Sequence, residues 1–313
     1  MPGSMPAMLG LRGLVLGALG LISALFTAGW TRNLLGLRRQ PPTDPDRAVR
    51  SPGPLHVGIG FVTNFFDYLG IGSFATTTAL FRAFRLVPDQ LIPGTLLIGH
   101  TAATLAEAFI SIAIIEVEMP TLVMIIAAHM LGAWLGAGVV SRWDRRKIQL
   151  GMGTALLGAA ALMLCKIFDV LPSGGETLGL AGGRLAAGLA GSFVIGALMT
   201  IGIGNFAPSL ILFGLLGMNT RSIFPLMMGS CAFLMIVGSV QFMRRASYAP
   251  RPALGLTLGG VFGVLLAAYV VKELPLYVLR WLVVVVVVYT AASMLRSALR
   301  NENAAPSLPP EAR

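Results

Sequence analysis

Apolar residues fall in long blocks separated by short polar clusters. The blocks cover residues 9–30, 55–84, 90–115, 119–140, 148–168, 184–216, 222–243, 253–271 and 275–299. Most have the roughly 20-residue length that spans a hydrocarbon core of about 30 Å as an α-helix rising 1.5 Å per residue. Two blocks are too long for one straight span; residues 55–84 would make a helix of about 45 Å. Both are interrupted by Gly-x-Gly, at Gly70/Gly72 and at Gly202/Gly204.

The interruptions are copies of one another. LGIGSFATTTALF at residues 69–81 returns as IGIGNFAPSLILF at residues 201–213, displaced by 132 residues. Eight of 25 positions agree between residues 69–93 and 201–225, and the same displacement aligns Pro120-Thr121-Leu122 with Pro252-Ala253-Leu254. An internal duplication accounts for both. Interrupted apolar segments at matching places in two halves point to the binding site of a secondary transporter.

Composition narrows the class. With 56% apolar and 12% charged residues and a mean hydropathy of +0.81, the chain cannot present a soluble surface. It reads as an all-α polytopic membrane protein. The net charge of +10 comes from short Lys/Arg clusters between apolar blocks, which is the pattern of membrane orientation and not of nucleic-acid binding. Cys165 and Cys231 lie inside apolar blocks and imply no disulfide framework. Block 9–30, with Arg12 as its only early charge and no small-x-small site after it, reads as a retained helix and not a cleaved signal.

Charge also decides whether the broken segments cross the membrane or turn back. If each is a re-entrant hairpin, every repeat has three full spans. The linker at 31–54, Arg82/Arg85, the 142–147 cluster, Arg244/Arg245/Arg251 and the C-terminal Arg residues then share one side. That side holds 17 of the 23 Lys and Arg, and acidic Glu116 and Glu118 fall opposite, as the positive-inside rule requires. An odd number of spans inverts the second repeat. The expected organisation is an outside-starting first helix and basic cytoplasmic linker (1–54), repeat 1 (55–168), an external connector (169–183), repeat 2 (184–300) and a disordered tail (301–313). The C-terminus is expected in the cytoplasm and the protein in a cell inner membrane.

Non-helical backbone at membrane depth survives only when buried in protein or lining a watery cavity, so the two tips are expected to meet near the midplane. New helices start at Gly72-Ser73 and Gly204-Asn205, and Ser and Asn are favoured N-caps. A helix N-terminus carries unpaired amides and roughly half a positive charge, so two converging tips hold a small anion without a buried Lys or Arg. The expected substrate-binding set is Gly70, Gly72, Ser73, Phe74, Thr76, Thr77, Gly202, Gly204, Asn205, Phe206 and Ser209, with the hydroxyls, Thr78 included, as further donors. For a single Gly-x-Gly, tight helix packing is the better reading; the duplicated break with hydroxyls beyond it favours the site.

The duplicated Gly-rich break, the Pro that opens each following helix (Pro93 and Pro225) and the overall length resemble the TauE/SafE sulfite exporter family, over about residues 55–299. That family's motif usually reads as a Gly-Ile-Gly-Gly-Gly-like run with a Pro a few residues later. Here it is Gly70-Ile71-Gly72-Ser73 without that Pro, and Gly202-Ile203-Gly204-Asn205 with Pro208. The resemblance implies export or uptake of a small sulfur oxyanion or organosulfonate, such as sulfite, sulfoacetate or thiosulfate.

Ionisable groups at membrane depth are functional by default. His100, Thr104 and Glu107 share a helix face at i, i+4 and i+7, Asp67 lies three residues before Gly70, and His129 is central in its helix. Asp67, His100 and Glu107 are the proton or coupling candidates, His100 first because its charge switches near neutral pH; hydrogen-bonded packing is the competing role. Their counterparts in repeat 2 are Met199, Ala232 and Ser239, so this chemistry belongs to one half. Export of an anion needs no coupling ion, whereas import against a negative-inside potential does. That favours export over proton-coupled import. The other classes are a membrane enzyme, for which no His-Glu-x-x-His or nucleophile pair is found, and a scaffold, for which the polar segments are too short. No cofactor or metal is expected, and the partners are the small anion and membrane lipid; nucleic acid is excluded and the oligomeric state is open.

Overall fold

The computed structural model describes residues 5–39, 48–69, 71–170, 175–270 and 277–299, and among them the regular elements are helices. They are α1 (Met5–Arg39), α2 (Pro54–Tyr68), α3 (Ser73–Ala83), α4 (Ile92–Ile114), α5 (Met119–Val140), α6 (Arg145–Ile167), α7 (Gly182–Met199), α8 (Phe206–Leu215), α9 (Thr220–Arg244), α10 (Pro250–Val270) and α11 (Tyr277–Leu299). A 3₁₀ turn, Asp89–Leu91, precedes α4. By length and composition α1, α4, α5, α6, α7, α9 and α10 could each cross a bilayer. Gly70, the tail at 301–313 and parts of the linker and connector lie outside the described residues.

Local sequence sets the helix starts. Pro54 and Pro93 stand in the first turns of α2 and α4, where a missing N–H costs nothing. Asp144 caps α6 by accepting the Lys147 N–H at 2.9 Å, and that bond holds its carboxyl below the usual carboxylate range. Pro225 does not open its helix as Pro93 does. Asn219 accepts the Arg221 N–H and so begins α9 at Thr220, leaving Pro225 inside the helix. The matching stretch of repeat 1 is the 3₁₀ turn, so the duplicated halves differ here by about one turn.

Both breaks make hairpins. α2 runs parallel to α10: Gly255 abuts His56, Gly259 abuts Val57, and Gly263 abuts Phe61. α4 also starts beside the α10 start, where the Ala249 N–H donates to Thr95 and Gly94 meets Ser247. The chain therefore descends along α2 and returns along α3 to the end it left. In repeat 2, α7 runs parallel to α5, with Gly132 against Phe193 and Gly136 against Ala197, and Thr121 at the α5 start donating to Leu180 O just before α7. The turn after α8 pairs with the segment before α7, Gly175 N–H donating to Met218 O at 2.9 Å. The second hairpin enters from the opposite end, so the repeats are inverted.

The pairs exchange under this symmetry: α2 packs on α10 as α7 packs on α5, α3 meets α11 as α8 meets α6, and α4 and α9 cross at the centre. α1 lies outside this core. Arg12 donates to the carbonyls of Ala113 and Ile115 at one end, and Tyr248 donates to Asn33 at the other. Asp89 collects Arg82, Gln149 and Arg145, so the 82–90 and 142–147 segments share an end, called the basic end below.

Glycine permits the closest contacts. A Cβ on Gly259 would stand 1.9 Å from Val57 O and 2.6 Å from Phe61 N, both backbone. Gly259→Ala is expected to push α2 off α10 and destabilise the protein by about 1–3 kcal/mol, read as a lower melting temperature in detergent; an unchanged melting temperature contradicts this packing.

Candidate functional site

The hairpin tips face one buried cavity of about 30 Å³. Hairpin 1 contributes Asp67, Gly72, Ser73 and Phe74; hairpin 2 contributes Met199, Gly204, Asn205 and Phe206. The crossing helices α4 and α9 close it with Thr104, Glu107, Met227, Met228 and Cys231. One or two waters fill such a volume, so the cavity as it stands is too small for a multi-atom anion. A larger hollow of about 310 Å³ at the end away from the basic clusters shares Glu107 and Met228 with it and includes Tyr68 and Arg221. At the basic end a vestibule of about 600 Å³ is lined by Arg82, Arg85, Asp89, Arg145 and Ser293 and shares no residue with the tip cavity.

The tips form because glycine accepts backbone that other residues resist. Gly72 has φ +92 and Gly202 φ +97. Ser73 is the first residue of α3 and not its cap; the cap is Gly72. With the chain turned by Gly72, the Ser73 hydroxyl points back across the hairpin and donates to Asp67 Oδ2 at 2.5 Å. Asn205 does cap α8 by position, but its side chain leaves the helix end, donating to Met227 O at 3.0 Å and accepting from Ser209 at 2.6 Å.

The hydroxyls expected to meet the anion are already engaged. Thr76 donates to the carbonyls of Gly72 and Ser73, Thr78 to Phe74 O, and Thr77 to His100. Thr76, Thr77 and Ser209 do not line the cavity, and Gly202 sits behind the tip against Met152. The polar groups the tips leave open are thus the amides that a helix start leaves without intrahelical acceptors. At α8 these exclude Pro208, which has no N–H. At α3 the Ser73 amide is taken by Asp67, whose carboxylate accepts it along with the hydroxyl.

His100 is a brace and does not line the cavity. Asn64 Nδ2 donates to Gly60 O at 2.7 Å, which turns its Oδ1 toward the ring. His100 Nδ1–H donates to that oxygen at 2.9 Å, and Nε2 accepts from Thr77 at 3.1 Å. With both nitrogens used and the ring fully buried against Phe74, this neutral tautomer ties α2, α3 and α4 together. Asn64→Leu would strand the Nδ1–H and is expected to cost about 1–3 kcal/mol of stability, measured as melting temperature; no loss contradicts the brace. His129 Nε2 has no hydrogen-bond partner and lies beside Asn205.

Of the sequence-derived set, Asp67, Gly72, Ser73, Phe74, Gly204, Asn205, Phe206 and Glu107 come together, with Thr104 from the same face as Glu107. Asn64 and the apolar wall Met199, Met227, Met228 and Cys231 were not in that set. Met199 was findable as the residue 132 positions after Asp67; an all-apolar α9 gives no sign of which side chains face the tips.

A model described as "Sulfite exporter TauE/SafE" matches residues 55–294, more than half of the chain. The chain belongs to the TauE/SafE sulfite exporter family. The TauE/SafE match begins at α2 and ends within α11, so it covers both hairpins and all the helices that enclose the tips, and α1 precedes it. No curated protein and no solved structure matches the chain. Membership makes this a multi-pass membrane protein of a transporter family.

Proposed function

We propose that the protein is a permease for a small sulfur-containing oxyanion or organosulfonate, of the sulfite, sulfoacetate and thiosulfate class, and not an enzyme. The observation that carries this reading is the single buried cavity between two inverted Gly-rich helix starts, lined from hairpin 1 by Gly72, Ser73 and Phe74 and from hairpin 2 by Gly204, Asn205 and Phe206. Two such starts together bring about one positive charge by their dipoles. Alternating access comes from rocking one inverted unit against the other. A cavity too small for the anion, sharing lining residues with one hollow and none with the vestibule, fits a closed stage of that cycle.

The positive-inside rule puts the basic end, the linker and the C-terminus in the cytoplasm of a cell inner membrane. An anion leaving a negative-inside cell gains about 2.3 kcal/mol per charge per 100 mV, so export is the proposed direction. The vestibule arginines then face the cytoplasmic pool of anions.

Counterflow of labelled thiosulfate, sulfite and sulfoacetate in proteoliposomes tests the proposal. Saturable exchange of at least one supports it; no exchange of any anion in a broad panel favours a non-transporting scaffold.

A further inference from the structure

The hairpins are alike in backbone and unlike in charge. At α3 the carboxylate of Asp67 holds the Ser73 hydroxyl and amide, the place an anion would take. The equivalent residue at hairpin 2 is Met199, which also lines the cavity. Glu107 faces the same space; it is 1% exposed, and its Oε1 has no hydrogen-bond partner. Among the described residues, two acids and no Lys, Arg or His line a cavity that is to receive an anion.

Two neighbouring carboxylates and an anion cannot share so small an enclosed volume while all are charged, because nothing there compensates them. We propose that Asp67 and Glu107 form a proton-linked pair: an entering anion displaces Asp67 from the α3 amides, and the pair takes up one proton for each anion bound. This rests on the reading of the hairpin tips as the anion site. The proton has a way out with the anion, since Glu107 also lines the 310 Å³ hollow at the outer end.

The remaining charged or titratable neighbours leave the pair as the acceptor. From α2, Tyr68 lines the outer hollow with Glu107, and Tyr269 of α10 is within its electrostatic reach. From α9, Cys231 lines the cavity and Arg221 lines the outer hollow. From α5, His129 bonds Ile125 O of its own helix at 3.0 Å and lies beside Asn205, and on α4 itself His100 is committed to Thr77 and Asn64. α3 and α8 bring no acid or base to the cavity. One proton carried with a divalent oxyanion leaves one net negative charge crossing, so the potential still favours export.

Thiosulfate binding to the purified full-length protein in nanodiscs, by calorimetry between about pH 6 and pH 8, tests the pair, because thiosulfate keeps its own charge over that range. The wild type is expected to bind roughly tenfold tighter for each pH unit of acidification, with one proton taken up per anion. An infrared band of a protonated carboxyl should grow as thiosulfate is added. Glu107→Gln and Asp67→Asn should each lose the pH dependence, and the more stable of the two suffices. Binding that is independent of pH without the carboxyl band, or that depends on sodium instead, overturns the proposal. Gly204→Leu separates the two readings: if it binds thiosulfate as the wild type does, the tips are not the site. If it does not bind and the wild type is insensitive to pH, only the proton link falls.

Discussion

Gly204→Leu is expected to reduce anion flux at least a hundredfold while the protein still inserts and folds. Nothing lies within 4 Å of a Cβ placed on Gly204, so the backbone accepts the residue. The rest of the side chain then has the tip cavity to occupy. A leucine is larger than the roughly 30 Å³ available there, so it takes the anion's place and props the hairpins apart. The partner change, Gly72→Leu, adds strain because that position has φ +92, with a cost of about 1–3 kcal/mol. Comparing the two separates blockage from strain: both should lose flux, and Gly72→Leu should lose more melting temperature than Gly204→Leu. Normal flux in Gly204→Leu contradicts the site.

Arg82→Met is expected to lower stability by about 1–3 kcal/mol and to lower flux with it. Arg82 donates to Asp89 at 2.7 Å and to Ser293 at 3.2 Å, joining the return arm of hairpin 1 to the α4 start and to α11. Asp89 in turn accepts from Gln149 of α6. Removing the cation leaves a carboxylate that is only 11% exposed with Gln149 and the more distant Arg145, a loss between the small cost of a surface pair and the larger cost of a buried one. The double change Arg82→Met/Asp89→Leu should recover part of the stability, since it strands no charge. Flux in the double variant reports on the latch itself. If flux and melting temperature both return fully to wild-type values, the ion pair only compensates charge and does not hold the hairpin.

Much of the architecture was legible because it depends on coarse quantities. Block length against bilayer thickness showed that residues 55–84 could not be one span, and the position of Arg142, Arg145, Arg146 and Lys147 relative to Arg82 chose hairpins over crossings. The structure agrees, since Asp89 touches Arg82 and Arg145 together. The duplication carried the inversion and brought the two Gly-x-Gly breaks to one place.

The side-chain chemistry was less legible because it turns on single torsions. Ser73 reads as an N-cap by residue type, but Gly72 takes the cap and the hydroxyl turns to Asp67. Thr77 reads as a substrate donor by its position after the break, yet it sits one turn along α3 from Ser73 on the same face, away from the tip, where its hydroxyl meets His100. His100 looks like a switch when seen alone; Asn64, 36 residues earlier, fixes it as a neutral brace. Pro225 mirrors Pro93 in alignment, but Asn219 extends its helix upstream and buries the mirror.

The central claim is that backbone amides of two opposed helix starts hold the substrate anion. A structure of the protein with selenate, located by its anomalous selenium signal, tests it most directly. The account predicts a peak between Gly72 and Gly204, with the hairpins parted. A peak only among Arg82, Arg85 and Arg145 in the basic-end vestibule would contradict it.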